Sequence, residues 1–232
     1  MLAALGDAID KASSDDSVRV IILQGSGPAF CAGHDLKELT LHRSDADQGS
    51  AFFRDTMRKC SDMMLKIVRC PKPVVARVHG IATAAGCQLV ASCDLAIAGK
   101  SASFATPGVN LGLFCSTPMV ALGRNLSRKH TMEMLLLGEM VSAARAEQVG
   151  LINRCVPDQN LDAAVDDMAA KLAEKPRYSV AIGIESFYKQ MEMNLDDAYD
   201  YVSEVMVTNM LSQDAAEGIG AFIEKRKPNW PE

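Results

Sequence analysis

Val74-Val-Ala-Arg-Val-His-Gly-Ile-Ala-Thr-Ala-Ala-Gly-Cys-Gln-Leu-Val-Ala-Ser-Cys-Asp-Leu-Ala-Ile-Ala98 is the stretch that decides the fold. Val74 to Val78 is short, apolar and rich in β-branched residues, as in a strand covered on both faces, and it turns at His79-Gly80. Thr83 to Ala91 reads as a short apolar helix, and Asp94 to Ala98 as a second buried strand. Two buried strands joined through a helix run parallel, because an antiparallel pair needs only a tight turn. The fold class is therefore α/β.

The same pattern extends in both directions. Leu2, Leu5 and Ile9 predict an amphipathic helix over 1–12, ended by Ser13-Ser-Asp-Asp16. Val18 to Gln24 reads as a strand buried on both faces, stopped by Gly25-Ser-Gly-Pro28. The polar run 43–50 reads as a loop. Ala51 to Val68 forms a helix with Phe52, Phe53, Met57, Met63, Met64, Ile67 and Val68 on its apolar side, broken by Pro71 and Pro73. Downstream, Ser127, Ser142 and Asp214 have the character of helix N-caps, and residues 161–227 read as helix after helix punctuated by Pro176. The division expected is a core over 1–175 and a helical region over 176–232.

Composition narrows the function. With 24 basic and 29 acidic residues in 232, the net charge of −5 argues against a nucleic-acid surface. The most apolar stretch, 74–99, is interrupted by Arg77, His79, Gln88 and Asp94, so no membrane span is expected. Seven cysteines without a C-x-x-C pair, and four histidines without H-x-x-x-H spacing, argue against a disulfide framework or a metal site. A reducing compartment is the simpler setting. The N-terminus has the pattern of neither a secretory signal nor a transit peptide.

Two glycine-containing turns carry the chemistry. Phe30-Cys-Ala-Gly-His-Asp-Leu-Lys-Glu-Leu39 leads from a strand end through Ala32-Gly33 into a helix, and Gly80 to Leu89 does the same through small residues. Free backbone N–H groups at such a turn stabilise negative charge, and two of them facing one carbonyl oxygen would polarise it. Small-residue turns before helices are also common packing devices, so the pattern alone leaves both readings open.

These two segments, with Ser103-Phe-Ala-Thr-Pro-Gly-Val-Asn-Leu-Gly-Leu113, Ser142 to Arg154 and Ala221 to Pro228, resemble the signature segments of the crotonase (enoyl-CoA hydratase/isomerase) superfamily, in its order and spacing. The resemblance implies a crotonase/ClpP-like spiral of β-β-α units. It also implies a C-terminal helical region that forms homotrimers or paired trimers, that is hexamers, with Met132 to Leu137 and Tyr201 to Leu211 as candidate contact surfaces. Members usually begin with a strand pair and an N-A-L segment ahead of the helix that starts here at Met1, so the N-terminal edge of the sheet is expected to be missing. The implied ligand is an acyl-CoA thioester of fatty-acid or acyl-CoA metabolism, with coenzyme A as part of the substrate and no metal or covalent cofactor. The implied location is intracellular, in a bacterial cytoplasm or a mitochondrial matrix.

Site residues follow from the resemblance position by position. The oxyanion donors fall on the Ala32 and Ala85 N–H groups, the latter where many members have glycine. Gly33, His34, Asp35, Leu36 and Gly86 fall on the walls of the substrate site, Lys37 at the adenine pocket, and Phe222 and Lys225 where the C-terminal helix reaches coenzyme A.

The departures from the pattern carry more weight. Gln88 and Gly108, at the family's spacing, replace the two glutamates that hydratases use, and Ser116 replaces an aspartate used by dienoyl-CoA isomerases. An amide, a hydroxyl and a bare α-carbon transfer no proton near neutral pH. Weak or absent hydration is the expectation. Three readings stay open: an acyl-CoA-binding or regulatory protein, an isomerase- or lyase-type enzyme with a substitute proton carrier such as His34, and an oligomerising scaffold. Gln88 and Asn110 have groups that could hold a substrate amide, hydroxyl or water. Cys115 reads as a buried unactivated thiol and His79 as a structural histidine.

Overall fold

The computed structural model describes residues 1–231. Helix α1 (Leu2–Ser14) leads into β1 (Ile21–Gln24), and α2 (Leu36–Leu41) and α3 (Ser50–Val68) follow. The centre is β2 (Val74–Val78), β3 (Ile81–Thr83), α4 (Ala85–Ser92), β4 (Leu95–Gly99) and β5 (Ser103–Ala105), then a 3-10 turn at Pro107–Leu111. After these come α5 (Pro118–Asn125), α6 (Arg128–Leu137), β6 (Val141–Ser142), α7 (Ala143–Val149), β7 (Arg154–Val156) and α8 (Leu161–Ala173). The last helices are α9 (Arg177–Gln190), α10 (Leu195–Met210) and α11 (Gln213–Ile223).

The strands form two sheets. The larger has the order β1-β2-β4-β7 and is parallel throughout, with Ile21 opposite Val74, Val75 opposite Leu95 and Ile97 opposite Arg154. In the smaller, β3 and β5 run parallel and β6 closes the edge antiparallel. Each turn of chain thus lays one strand in each sheet and then a helix: β2, β3, α4, and likewise β4, β5 and the 3-10 turn. This is the β-β-α spiral expected. Val74, Val75, Val78, Ile97 and Phe104 are fully buried between sheets and helices, with Ile67 and Met63 of α3 packed on the core.

Some details differ from the sequence reading. Only Leu23 of β1 is buried, and Ile22 is 38% exposed. A strand paired on one side only, by β2, is an edge, and an edge strand needs no two-faced apolar coat. Ser127 and Ser142 do cap their helices, but Ser212 rather than Asp214 caps α11. Asp214 instead turns inward, buried, and accepts hydrogen bonds from the Ser179 N–H and hydroxyl. All seven cysteines carry free thiols, and among the described residues no helix is long and apolar enough to cross a membrane.

The C-terminal helices attach to the end of the large sheet where its strands begin. Asp94, just ahead of β4, accepts from the Val74 N–H and from the Tyr188 hydroxyl of α9, both at 2.8 Å. Arg19 donates to the Lys175 carbonyl, and Arg177 pairs with Asp16 at 2.6 Å. A cavity of about 1050 Å³ lies in this seam, lined by Arg19, Lys72, Arg177, Tyr178 and Asp214 among others. Three of its four cations are already engaged: Arg19 and Arg177 as above, Lys72 with the Ala12 and Asp15 carbonyls. It is a packing seam between helices and sheet, and none of its lining residues comes from the glycine-containing turns.

Candidate active site

The two turns leave the opposite end of the large sheet and are clamped together by backbone. The Cys31 N–H donates to the Ile81 carbonyl at 3.1 Å and the Thr83 N–H to the Cys31 carbonyl at 2.9 Å, a single parallel bridge beside β3. The chain then leaves the ladder at Ala32, whose carbonyl accepts from the Thr83 hydroxyl at 3.1 Å. Ala32's own N–H donates to no protein group among the described residues, and neither does that of Ala85, the first residue of α4.

Glycine is required at two places for this approach. A Cβ on Gly33, at φ +98°, would lie 3.1 Å from the Ala84 Cβ and 3.5 Å from the Ala85 nitrogen. A Cβ on Gly86 would lie 2.0 Å from the Cys31 carbonyl oxygen. The two free N–H groups therefore belong to segments in van der Waals contact.

The backbone strain that aims the second donor sits one residue ahead of it. Ala84 has φ +52° and ψ −116°, and its N–H is tied to the Ala105 carbonyl at 2.9 Å. Alanine avoids such angles, at a cost of about 1–3 kcal/mol, unless neighbours enforce them. Ala85 itself is helical, so alanine serves there as well as glycine.

The remaining wall is neutral. Gln88 lies one helical turn beyond Ala85 on the same face of α4, 4% exposed, with Oε1 meeting no protein donor. Thr106 follows the residue that holds Ala84, is fully buried, and its Oγ1 is likewise without a partner. Gly108 is closed off by Cys115: a Cβ there would lie 2.9 Å from the thiol sulfur. Burial pushes the Cys115 thiol above its usual value, so it stays protonated and unreactive. Ser116 is exposed, its hydroxyl donating to the Phe114 carbonyl at 3.3 Å, and Asn110 ties its turn to the Gly138 carbonyl at 3.2 Å.

On the first turn, Asp35 caps α2, accepting from the Lys37 and Glu38 N–H groups, while Leu36 and Lys37 are exposed. His34 is half-buried and its Nε2 is enclosed without a protein partner. Phe222 and Lys225 are not brought to this site within the chain. α11 packs on α9 and α10 at the other end of the sheet, and Phe222 there is 84% exposed. His79 is structural, held by the Gly27 carbonyl at 2.8 Å.

The whole chain, residues 1–232, matches the family described as enoyl-CoA hydratase/isomerase. The chain belongs to the enoyl-CoA hydratase/isomerase family. It is 50% identical over 231 residues to enoyl-CoA hydratase domain-containing protein 3, mitochondrial, of Mus musculus, covering 99% of this chain and 75% of the mouse protein. The human protein of the same name is 47% identical, with 99% and 74% covered. Among solved structures, an enoyl-CoA hydratase of Mycobacterium smegmatis superposes with a TM-score of 0.93 at 51% identity, covering 99% of this chain and 88% of that one. The human enoyl coenzyme A hydratase domain-containing protein 3 gives 0.92 at 46% identity, over 99% and 88%.

Within this enoyl-CoA hydratase/isomerase member, the features that sequence reasoning missed are Ala84 and Thr106. Nothing in an alanine's identity announces a positive φ, and a threonine before a proline looks like any turn residue.

One pH effect follows from the site. Burial holds the His34 imidazole below its usual value, against a smaller opposite pull from Glu38. The unfolded chain then binds the proton first, so the stability His34 allows is intact above the unfolded value and is lost as pH falls through the lowered folded one. Thermal melts between pH 7 and pH 5 should show a steeper decline for the wild type than for His34→Gln; parallel curves would remove this assignment.

Proposed function

We propose that this protein binds acyl-CoA thioesters in fatty-acid or acyl-CoA metabolism and polarises the thioester carbonyl between the Ala32 and Ala85 N–H groups, with little or no hydratase activity. The observation that carries the reading is the pairing of two free N–H donors, on segments in contact, with a neutral wall of Gln88, Thr106 and the Gly108–Cys115 contact. Each donor aimed at an oxyanion is worth about 3 kcal/mol in acyl-transfer sites. Lost acid/base assistance costs about 10²–10⁴-fold per group. A site of this kind binds and activates a thioester but has nothing to move a proton to or from water.

Coenzyme A would lie over Lys37, and Phe222 and Lys225 would meet the coenzyme of a neighbouring subunit in a homotrimer or hexamer. Supporting that assembly are the separation of α11 from its own turns and the exposed apolar residues Met206, Val207, Met210, Phe222 and Ile223. By analogy with relatives named as mitochondrial, the location would be a mitochondrial matrix in a eukaryote, or the cytoplasm of a bacterium.

Calorimetric titration with acetyl-CoA and longer acyl-CoAs tests the reading, together with light scattering on the same sample for the assembly. Saturable binding without product in a mass-spectrometric thioester screen is the expected result. Absence of binding would leave only a scaffold, and a folded monomer would remove the trimer. A second reading has one observation behind it. Burial keeps His34 neutral and its Nε2 is enclosed and unpaired, which suits a proton acceptor in an isomerase or hydratase-type lyase. Turnover in the screen that disappears in His34→Ala would favour it.

A further inference from the structure

Among the described residues, one side-chain hydrogen bond joins the two donor-bearing turns: the Thr83 hydroxyl donates to the Ala32 carbonyl at 3.1 Å. The Thr83 N–H donates to the preceding carbonyl, that of Cys31, at 2.9 Å. A single residue of β3 thus holds the carbonyls on both sides of Ala32. A trans peptide is planar, with its N–H directed opposite to its carbonyl. Anchoring the Cys31 carbonyl therefore turns the Ala32 N–H away from Thr83, and anchoring the Ala32 carbonyl pins the next peptide plane as well. Ala32 is left with little freedom to swing its donor.

The same residue leads into the second donor. Only Ala84 separates Thr83 from Ala85, and Ala84 is the residue at φ +52° and ψ −116°, with its N–H tied to the Ala105 carbonyl. A hold on Thr83 from the first turn bears on the strained link that aims the Ala85 N–H. The fold has no need of this hydroxyl: Ala32 is exposed, so water can meet its carbonyl, and the backbone bridge closes the turns without it.

We propose that Thr83 is a positioning residue, whose hydroxyl sets the spacing and direction of the Ala32 and Ala85 N–H groups and so the grip of the site on a thioester carbonyl. This rests on the thioester-binding reading above and adds the residue that tunes it. Hydrogen bonds weaken steeply as the donor angle closes, so a small rotation of either peptide costs the carbonyl contact while leaving the rest of the coenzyme's contacts in place.

Titrating the full chain with acetyl-CoA and with free coenzyme A, which lacks the acyl carbonyl, separates aim from stability. The wild type should favour acetyl-CoA by at least about tenfold, the worth of two hydrogen bonds. Thr83→Val, of nearly the same shape, should lower that preference to about threefold or less, with affinity for free coenzyme A held within about twofold. Thr83→Ser restores a hydroxyl and should recover most of the preference; Thr83→Ala repeats the measurement should valine not be accommodated. Infrared difference spectra should show the carbonyl stretch of bound acetyl-CoA lowered in the wild type and Thr83→Ser, and lowered less in Thr83→Val. A preference unmoved by the valine and alanine substitutions, an equal loss for both ligands, or no recovery in Thr83→Ser overturns the positioning role alone. Wild-type protein that fails to bind acetyl-CoA, or binds it no better than free coenzyme A, overturns the carbonyl-polarising reading and this one with it.

Discussion

Crotonyl-CoA should be left unhydrated by the wild-type protein and hydrated by a Gln88→Glu/Gly108→Glu/Cys115→Ala variant. The two carboxylates act as a unit, each worth about 10²–10⁴-fold only when the other is in place, so that both together lift the rate from background toward the kcat/KM of about 10⁴ M⁻¹s⁻¹ where ordinary enzymes begin. The third substitution is what the packing adds to a two-glutamate repair. A Cβ at Gly108 lies 2.9 Å from the Cys115 sulfur, 3.2 Å from the Cys115 nitrogen and 3.2 Å from the Leu113 carbonyl. Removing the sulfur clears the closest contact and leaves two that a small shift of an exposed loop absorbs. The Gln88→Glu/Gly108→Glu pair alone should stay near background, because its second carboxylate is displaced by the thiol. A spectrophotometric hydration assay decides it, and efficient hydration by the wild type would sink the account of the neutral wall.

Gly86→Ala should be among the most damaging single methyl groups that can be added to this chain. The new carbon would stand 2.0 Å from the Cys31 carbonyl oxygen and 2.7 Å from its carbon, both backbone and both fixed by the bridge to Ile81 and Thr83. Forcing apart two clamped backbones is overpacking at its most severe, with an expected cost of about 3 kcal/mol or more. For a chain of this size that corresponds to a fall in Tm of about 10 °C. Thioester binding should weaken as well, since the displaced segment carries the Ala32 donor. Gly123→Ala, on α5 with no atom within 4 Å of the added carbon, is the control and should raise stability by about 0.5–1 kcal/mol. An unchanged Gly86→Ala melt would mean that the two turns are not held as described.

Three strands of the large sheet were readable because continuous apolar strands such as Val74–Val78 with a helix between them admit few topologies. β3, β5, β6 and β7 were not, for each is two or three residues long and owes its existence to a neighbour's backbone rather than to any side-chain pattern. The edge position of β1 was invisible for a related reason: Ile21, Ile22 and Leu23 have the same composition as a central strand, and only the missing partner on one side differs. At α11 two good capping residues stand two positions apart, and tertiary demand from Ser179 drew Asp214 inward. In the site, the motif resemblance located the turns, but the strained Ala84 and the closure of Gly108 by a thiol are facts of packing. The distance between Phe222 and its own turns was equally illegible, because a motif gives register along the chain and not which end of a sheet a helix docks on.

The contact between Gly108 and Cys115 also acts as a lock on the order of substitutions. Gln88→Glu taken first buries a carboxylate beside groups that offer no cation, Gly108→Glu taken first collides with sulfur, and Cys115→Ala taken first only empties space next to a glycine. No single step toward hydration is rewarded. Hydration would therefore need all three substitutions together, with the sulfur removed in the same step that places a side chain at position 108.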